Sequence, residues 1–114
     1  MSWKVNEKAL EQAKEFIKKG KVVTNSDWSE SQPSTSDENA FLKKEGWDAY
    51  AKWFLAYNPS ESEETKQRFG FPYGDFKKVH RSALNAVQQR AGQYGHDKIM
   101  KAADSLVKII DKQK

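Results

Sequence analysis

Residues 47–57 read WDAYAKWFLAY, and the conformation assigned to them decides the fold. Trp47, Tyr50, Ala51, Phe54 and Leu55 fall on one side of a helix with 3.6 residues per turn. Taken that way, the stretch predicts a helix from about Trp47 to Tyr57, stopped by Asn58-Pro59. Trp53 points away from the apolar stripe, so it is either wedged against another element or partly exposed. With these residues helical, the rest of the chain offers no convincing strand pair, no internal repeat and no sustained heptad.

Upstream, Gly46 ends a short helix predicted over Asp37 to Glu45, with Ser36 as its cap. Residues 21–36 are rich in Ser, Thr, Asn and Pro and read as a loop. Trp28 either anchors that loop to the core or stacks on a ligand. Asn6 is a candidate cap for a first helix, Glu7 to Lys19. Acidic residues stand in its first turn and Lys18-Lys19 in its last, and Gly20 suits the left-handed position that follows. Leu10, Ala13 and Ile17, with Ala9 and Phe16 beside them, give this helix one narrow apolar face.

Downstream, Ser60 or Ser62 opens a short helical segment through Arg68. Residues 69–75 form an aromatic turn, Phe69-Gly70-Phe71-Pro72-Tyr73-Gly74, closed by Asp75. Asp75 then caps a helix predicted from Phe76 to about Ala91, and Gly92 and Gly95 bracket a break. Asp97 caps a last helix to about Asp111, with Ile99, Ala102, Ala103, Leu106, Val107 and Ile110 at i, i+3, i+4, i+7 spacing. The expected fold is therefore all-α, a single domain over residues 1–114. It is a compact bundle of four main helices plus one or two short ones, with a Trp-anchored loop at 21–36 and the aromatic turn at 69–75. The Trp47 and Phe76 helices pack together, and the C-terminal helix closes the core.

The 12% of aromatic residues, four Trp among them, argue for a packed core rather than disorder. No apolar run approaches the roughly 20 residues that a bilayer span needs. Cysteine is absent, which removes disulfides, thiolate catalysis and Cys-containing zinc sites together. Met1 to Leu10 is polar and charged and lacks the apolar stretch of a secretory signal, so a cytoplasmic location is expected. The net charge of +4 is uneven: residues 1–65 carry −3 and residues 66–114 carry +7. Such a split suits either an acidic half docked on a basic half, or a basic surface for an anionic partner.

Candidate sites follow from these helical faces. On the predicted Phe76 helix, His80 and Arg90 share the sector of Phe76, Val79, Ala83, Ala86, Val87 and Ala91. A charge on an apolar face must find partners, so the two residues are expected to form a polar lock in the core. The alternative is a buried ligand or anion site. Lys98, Lys101 and Lys108 lie opposite the apolar face of the last helix, and Lys77 and Arg81 extend that surface. These cations serve solubility or contact nucleic-acid phosphates. The aromatic turn either plugs a gap between helices or offers a platform for a peptide or an unstacked base. There is no nucleophile elbow, P-loop or dinucleotide-binding glycine motif. The two histidines, His80 and His96, have no carboxylate at metal-ligand spacing, so no metal or cofactor is expected.

Several segments recur together in a recognisable set: Asp27-Trp28-Ser29, Gly46-Trp47 to Trp53, Thr65-Lys66 to Asp75, Val79-His80-Arg81-Ser82, Gln89-Arg90-Ala91 and Ala102-Ala103. On these residues the chain resembles a family of small uncharacterised bacterial proteins. The part from about Trp47 to Ile110 is also similar to segments of phage and prophage proteins, some associated with head-maturation proteases. The resemblance implies no settled activity, ligand or catalytic residue, and the protease chemistry has no counterpart in this chain. The expected function is a non-catalytic binding or accessory role through an unknown protein partner, with Trp53, Phe71 and Tyr73 as contact residues. Non-specific nucleic-acid binding through Lys77, Arg81, Lys98, Lys101 and Lys108 is the alternative. A small-ligand or enzyme site around His80 and Arg90 is a second one.

Overall fold

Residues 47–57 do not form one helix. In the structure, a computed structural model that describes residues 3–113, the helix ends at Ala51 and the chain turns through Lys52 and Trp53 into a strand at Phe54–Tyr57. The all-α expectation is thereby corrected to a mixed α/β fold. In chain order the elements are β1 (Lys4–Val5), α1 (Glu7–Lys18), β2 (Val22–Val23), α2 (Trp28–Ser31), α3 (Thr35–Ala51) and β3 (Phe54–Tyr57). They continue with β4 (Phe69–Pro72), β5 (Val79–His80), α4 (Arg81–Gln93) and α5 (Asp97–Lys112). A three-stranded antiparallel sheet has the order β1-β3-β4, and β2 pairs with β5 in a small parallel ladder.

The run after Ala51 becomes a strand because partners flank it on both edges. Val5 lies opposite Ala56, while Phe54 and Tyr57 lie opposite Pro72 and Phe69. Successive residues Phe54, Leu55 and Ala56 are all buried, so both sides of β3 are covered. A strand buried on both faces has no polar alternation, and its apolar run fits a helical period equally well. Asn6 takes part in this switch. It does not cap α1 with its side chain; its Nδ2 donates to the carbonyl oxygens of Ala51 (2.9 Å) and Phe54 (3.1 Å), where α3 gives way to β3.

Other expectations shift for local reasons. The supposed loop at 21–36 contains both β2 and α2. Ser34 rather than Ser36 caps α3, in a reciprocal pair with Asp37, and Gly46 at φ +88° breaks that helix in two. The first four residues of the aromatic turn are β4. The helix expected from Phe76 starts only at Arg81. Phe76 has φ +68°, outside the right-handed helical region, and the Asp75 carboxylate instead accepts the backbone N–H groups of Lys77 (3.0 Å) and Lys78 (2.8 Å).

α4 and α5 form an antiparallel hairpin around Gly95, whose φ of +74° closes the turn. Arg81 spans the far end, its Nε and Nη2 donating to the two carboxylate oxygens of Asp111 at 3.0 and 2.9 Å. Halfway along, Gln88 donates to Asp104 at 3.3 Å. α5 is the central helix and buries Ile99, Leu106 and Ile110 against α1, β1 and β3. No helix among the described residues is long and apolar enough to cross a membrane.

Candidate functional site

β4 and α4 touch along only part of their length. Between them lies an open groove of about 820 Å³. Its base on α4 is Ala83, Ala86 and Val87, of which Ala83 and Val87 are buried and Ala86 is left partly open. Its other wall is Phe69 to Pro72. Trp3 and Trp28 bound it, and Arg90, Tyr94 and His96 sit where α4 turns toward α5. Tyr94 is 62% exposed, the one large apolar side chain so open among the described residues.

Particular residues hold the walls in place. A Cβ on Gly70 would meet the Trp3 indole at 3.0 Å, so glycine there lets the ring lie against the strand backbone. Trp3 meets Phe71 edge-to-face at 5.9 Å between centroids, and Phe71 meets His96 likewise at 6.0 Å. Phe71 itself has φ +63°, a sterically costly backbone for a bulky side chain, held by the packing around it. Trp28 opens the short helix α2, whose cap Asp27 accepts the Ser29 N–H at 3.0 Å and the Ser29 hydroxyl at 2.7 Å. The Trp28 ring lies 5.5 Å from the ring of His80.

His80 is buried at the centre of a polar chain. A carboxylate can only accept, so the imidazole Nε2–H donates to Asp75 Oδ2 at 2.9 Å. In the neutral ring Nδ1 then accepts from the Ser26 hydroxyl at 2.7 Å, and Ser26 Oγ is 2.9 Å from Ser82 Oγ. Acid, imidazole and hydroxyl stand in the order of a serine-hydrolase relay. None of these four residues lines the groove, however. What the chain does physically is pin the residues before Trp28, the Asp75 turn and the first turn of α4 to each other. Burial works to raise the Asp75 pKa, but the hydrogen bonds from His80 and from the Lys78 and Lys77 N–H groups together hold it below the usual carboxylate range.

A carboxyl depressed in the folded state stabilises the fold fully above its unfolded pKa near 4, and that contribution is lost as pH falls through the folded value. Thermal unfolding followed from about pH 7 down to about pH 2.5 is therefore expected to show a falling Tm below about pH 4. Asp75→Asn should remove part of that slope. Equal slopes in the two proteins would show that Asp75 is not one of the groups responsible.

The structure distributes the residues singled out from sequence among different environments. Trp53 and Tyr73 are buried and stack on each other at 5.3 Å, so neither offers a contact surface. Tyr73 Oη donates to the Lys52 carbonyl at 2.6 Å and accepts from Gln12 Nε2 at 3.0 Å; burial raises its pKa well above the usual phenol value. Phe71 does reach the groove. His80 is buried, whereas Arg90 is exposed at the groove and its guanidinium makes no hydrogen bond or ion pair with the described residues. A core lock shared by His80 and Arg90, or one ligand site using both, is thereby corrected. Counting Phe76 and Val79 as helical had pulled the apolar sector toward Arg90. In α4 the buried set is Ala83, Leu84, Val87 and Ala91, and Arg90 falls at its margin.

Of the cations, Lys98, Lys101 and Lys108 are exposed on α5, and Lys77 is exposed in the Asp75 turn. Lys108 pairs with Asp104 at 3.1 Å and Arg81 with Asp111, so two of the five are already neutralised. Sequence reasoning missed Trp3, Tyr94 and His96 as groove residues. Trp3 precedes β1, whereas Tyr94 and His96 lie in the α4–α5 turn, and only the groove beside Ala86 joins them. No family model matches the chain, and no curated protein or solved structure matches it either.

Proposed function

We propose that this protein is a non-catalytic binding module that takes a short peptide segment of a partner protein into the groove between β4 and α4. One observation carries the reading: an open groove of about 820 Å³ combines an aromatic wall with an uncompensated cation. Aromatic side chains in a concave site supply contact area at low entropic cost, and a few polar groups at the edge fix orientation. The groove lies beside β4, an edge strand of the sheet, a setting that suits an extended peptide.

The test is selection of peptides from a random 12-residue display library on the intact protein, followed by affinity measurement on wild type and Ala86→Trp. The indole would fill the groove from its α4 side, where Ala86 is only partly buried, and a thermal melt reports whether the variant stays folded. Selected peptides are expected to bind wild type and to lose at least tenfold in affinity for Ala86→Trp. Failure to enrich any peptide, or enrichment of peptides indifferent to Ala86→Trp, overturns the reading.

A further inference from the structure

Building on that peptide reading, we infer that the occupant of the groove is acidic as well as apolar, with an Asp or Glu side chain of the peptide paired to the guanidinium of Arg90. Among the described residues no Asp or Glu lines the groove. Its polar groups are the amides of Gln32 and Gln67, the Tyr94 hydroxyl, the His96 imidazole and Arg90. The one fixed charge in the site is therefore positive, and it is free of a partner within the described chain.

That isolation is unusual for this protein. Arg81 is held by Asp111, and Arg68 donates to the Glu61 carbonyl at 2.8 Å while lying over the Tyr57 ring at 5.1 Å. Arg90 alone among the described arginines is left unengaged, and it is the arginine at the groove. A guanidinium presents a planar fork that fits a carboxylate in two parallel hydrogen bonds. Beside it, Trp3, Trp28, Phe69 and Phe71 call for large apolar side chains rather than a second charge. One cation also matches one carboxylate better than a phosphate chain: single-stranded nucleic acid is held by a groove with many cations along its path. A basic peptide would bring like charge to Arg90 and find no acid to meet it.

The test uses peptides from the display selection. An Asp or Glu is expected to be enriched at a fixed distance from a pair of large apolar residues. Fluorescence anisotropy on one such peptide should show about a tenfold loss when its acid is changed to the amide, and a similar loss with Arg90→Gln. The two changes together should cost little more than either alone, because they delete the same pair. Arg90 is exposed, so Arg90→Gln leaves the core intact. Groove-dependent peptides with no acidic preference, unmoved by Arg90→Gln, overturn this inference and leave the peptide groove standing. A twelve-nucleotide oligo-dT that binds through Arg90 with steep salt dependence overturns it in favour of nucleic acid. Absence of any groove-dependent peptide overturns both.

Discussion

Replacing Trp53 by alanine is expected to cost about 3–5 kcal/mol of folding stability, the range for removing a buried aromatic. The ring is only 4% exposed and touches three other aromatics. It stacks on Tyr73 at 5.3 Å, meets Phe16 at 5.3 Å and approaches Phe76 edge-on at 6.0 Å. These partners come from α1 and from the Tyr73–Phe76 segment after β4, so the indole ties the end of α3 to two parts of the chain that are distant from it in sequence. Little can collapse into the space it leaves, because Tyr73 is tied by its hydroxyl to Lys52 and Gln12. In a domain of this size the loss corresponds to a Tm lower by about 10–20 °C. Urea titration with the linear extrapolation gives the energy directly. A loss under about 1 kcal/mol would mean that the ring is a surface group, as the helical reading of residues 47–57 allowed.

That reading fails in an instructive place. α1 and α5 are legible because each presents one apolar face to the core and polar residues to solvent, which writes a 3.6-residue period into the sequence. β1, β2 and β5 are two residues long, and a pair such as Val22–Val23 carries no period at all. Their existence is a property of the partner strand. β3 is longer but buried on both sides, so its composition does not alternate. The error then propagates. With 47–57 helical there is no sheet for Phe69 to Pro72 to join, and those residues read as a turn. With Asp75 as a helix cap, Phe76 and Val79 enter the wrong helical face and Arg90 is drawn into the core.

The site suffered more than the fold, for the same reason. Its walls are a strand edge, the small-residue flank of α4 and two tryptophans from opposite ends of the first 28 residues. Ala86 looks like an ordinary helix residue; only the placement of β4 shows that it borders a trough. Phe71 was visible as a possible platform because aromatics around a proline are conspicuous. Trp53 and Tyr73 were equally conspicuous and proved to be core. Residue type flagged aromatic side chains, but pleat and pairing decide which of them meets solvent.

Gly74→Ala is expected to be nearly as damaging as the loss of Trp53, at about 3 kcal/mol, the upper part of the range for overpacking. A Cβ at this position would collide with the Lys78 carbonyl oxygen and come within 2.6 Å of the Trp53 ring. The first obstacle is backbone. The Asp75 N–H donates to that same Lys78 oxygen at 3.2 Å, and the His80 N–H donates to the Tyr73 carbonyl at 3.0 Å, so the turn cannot open without losing hydrogen bonds. Moving the carbonyl would also disturb Val79 and His80, hence the β2–β5 ladder and the Ser26–His80–Asp75 chain. The second obstacle is a side chain with no free rotamer space, which makes the two substitutions dependent on each other. In a Trp53→Ala background the indole clash vanishes and only the Lys78 carbonyl remains. Gly74→Ala should then cost less than in wild type, with a coupling of about 1 kcal/mol or more. Strict additivity of the two losses would place the whole strain in the backbone turn and none against the ring. A Gly74→Ala protein as stable as wild type would mean that the turn yields to a methyl group without loss.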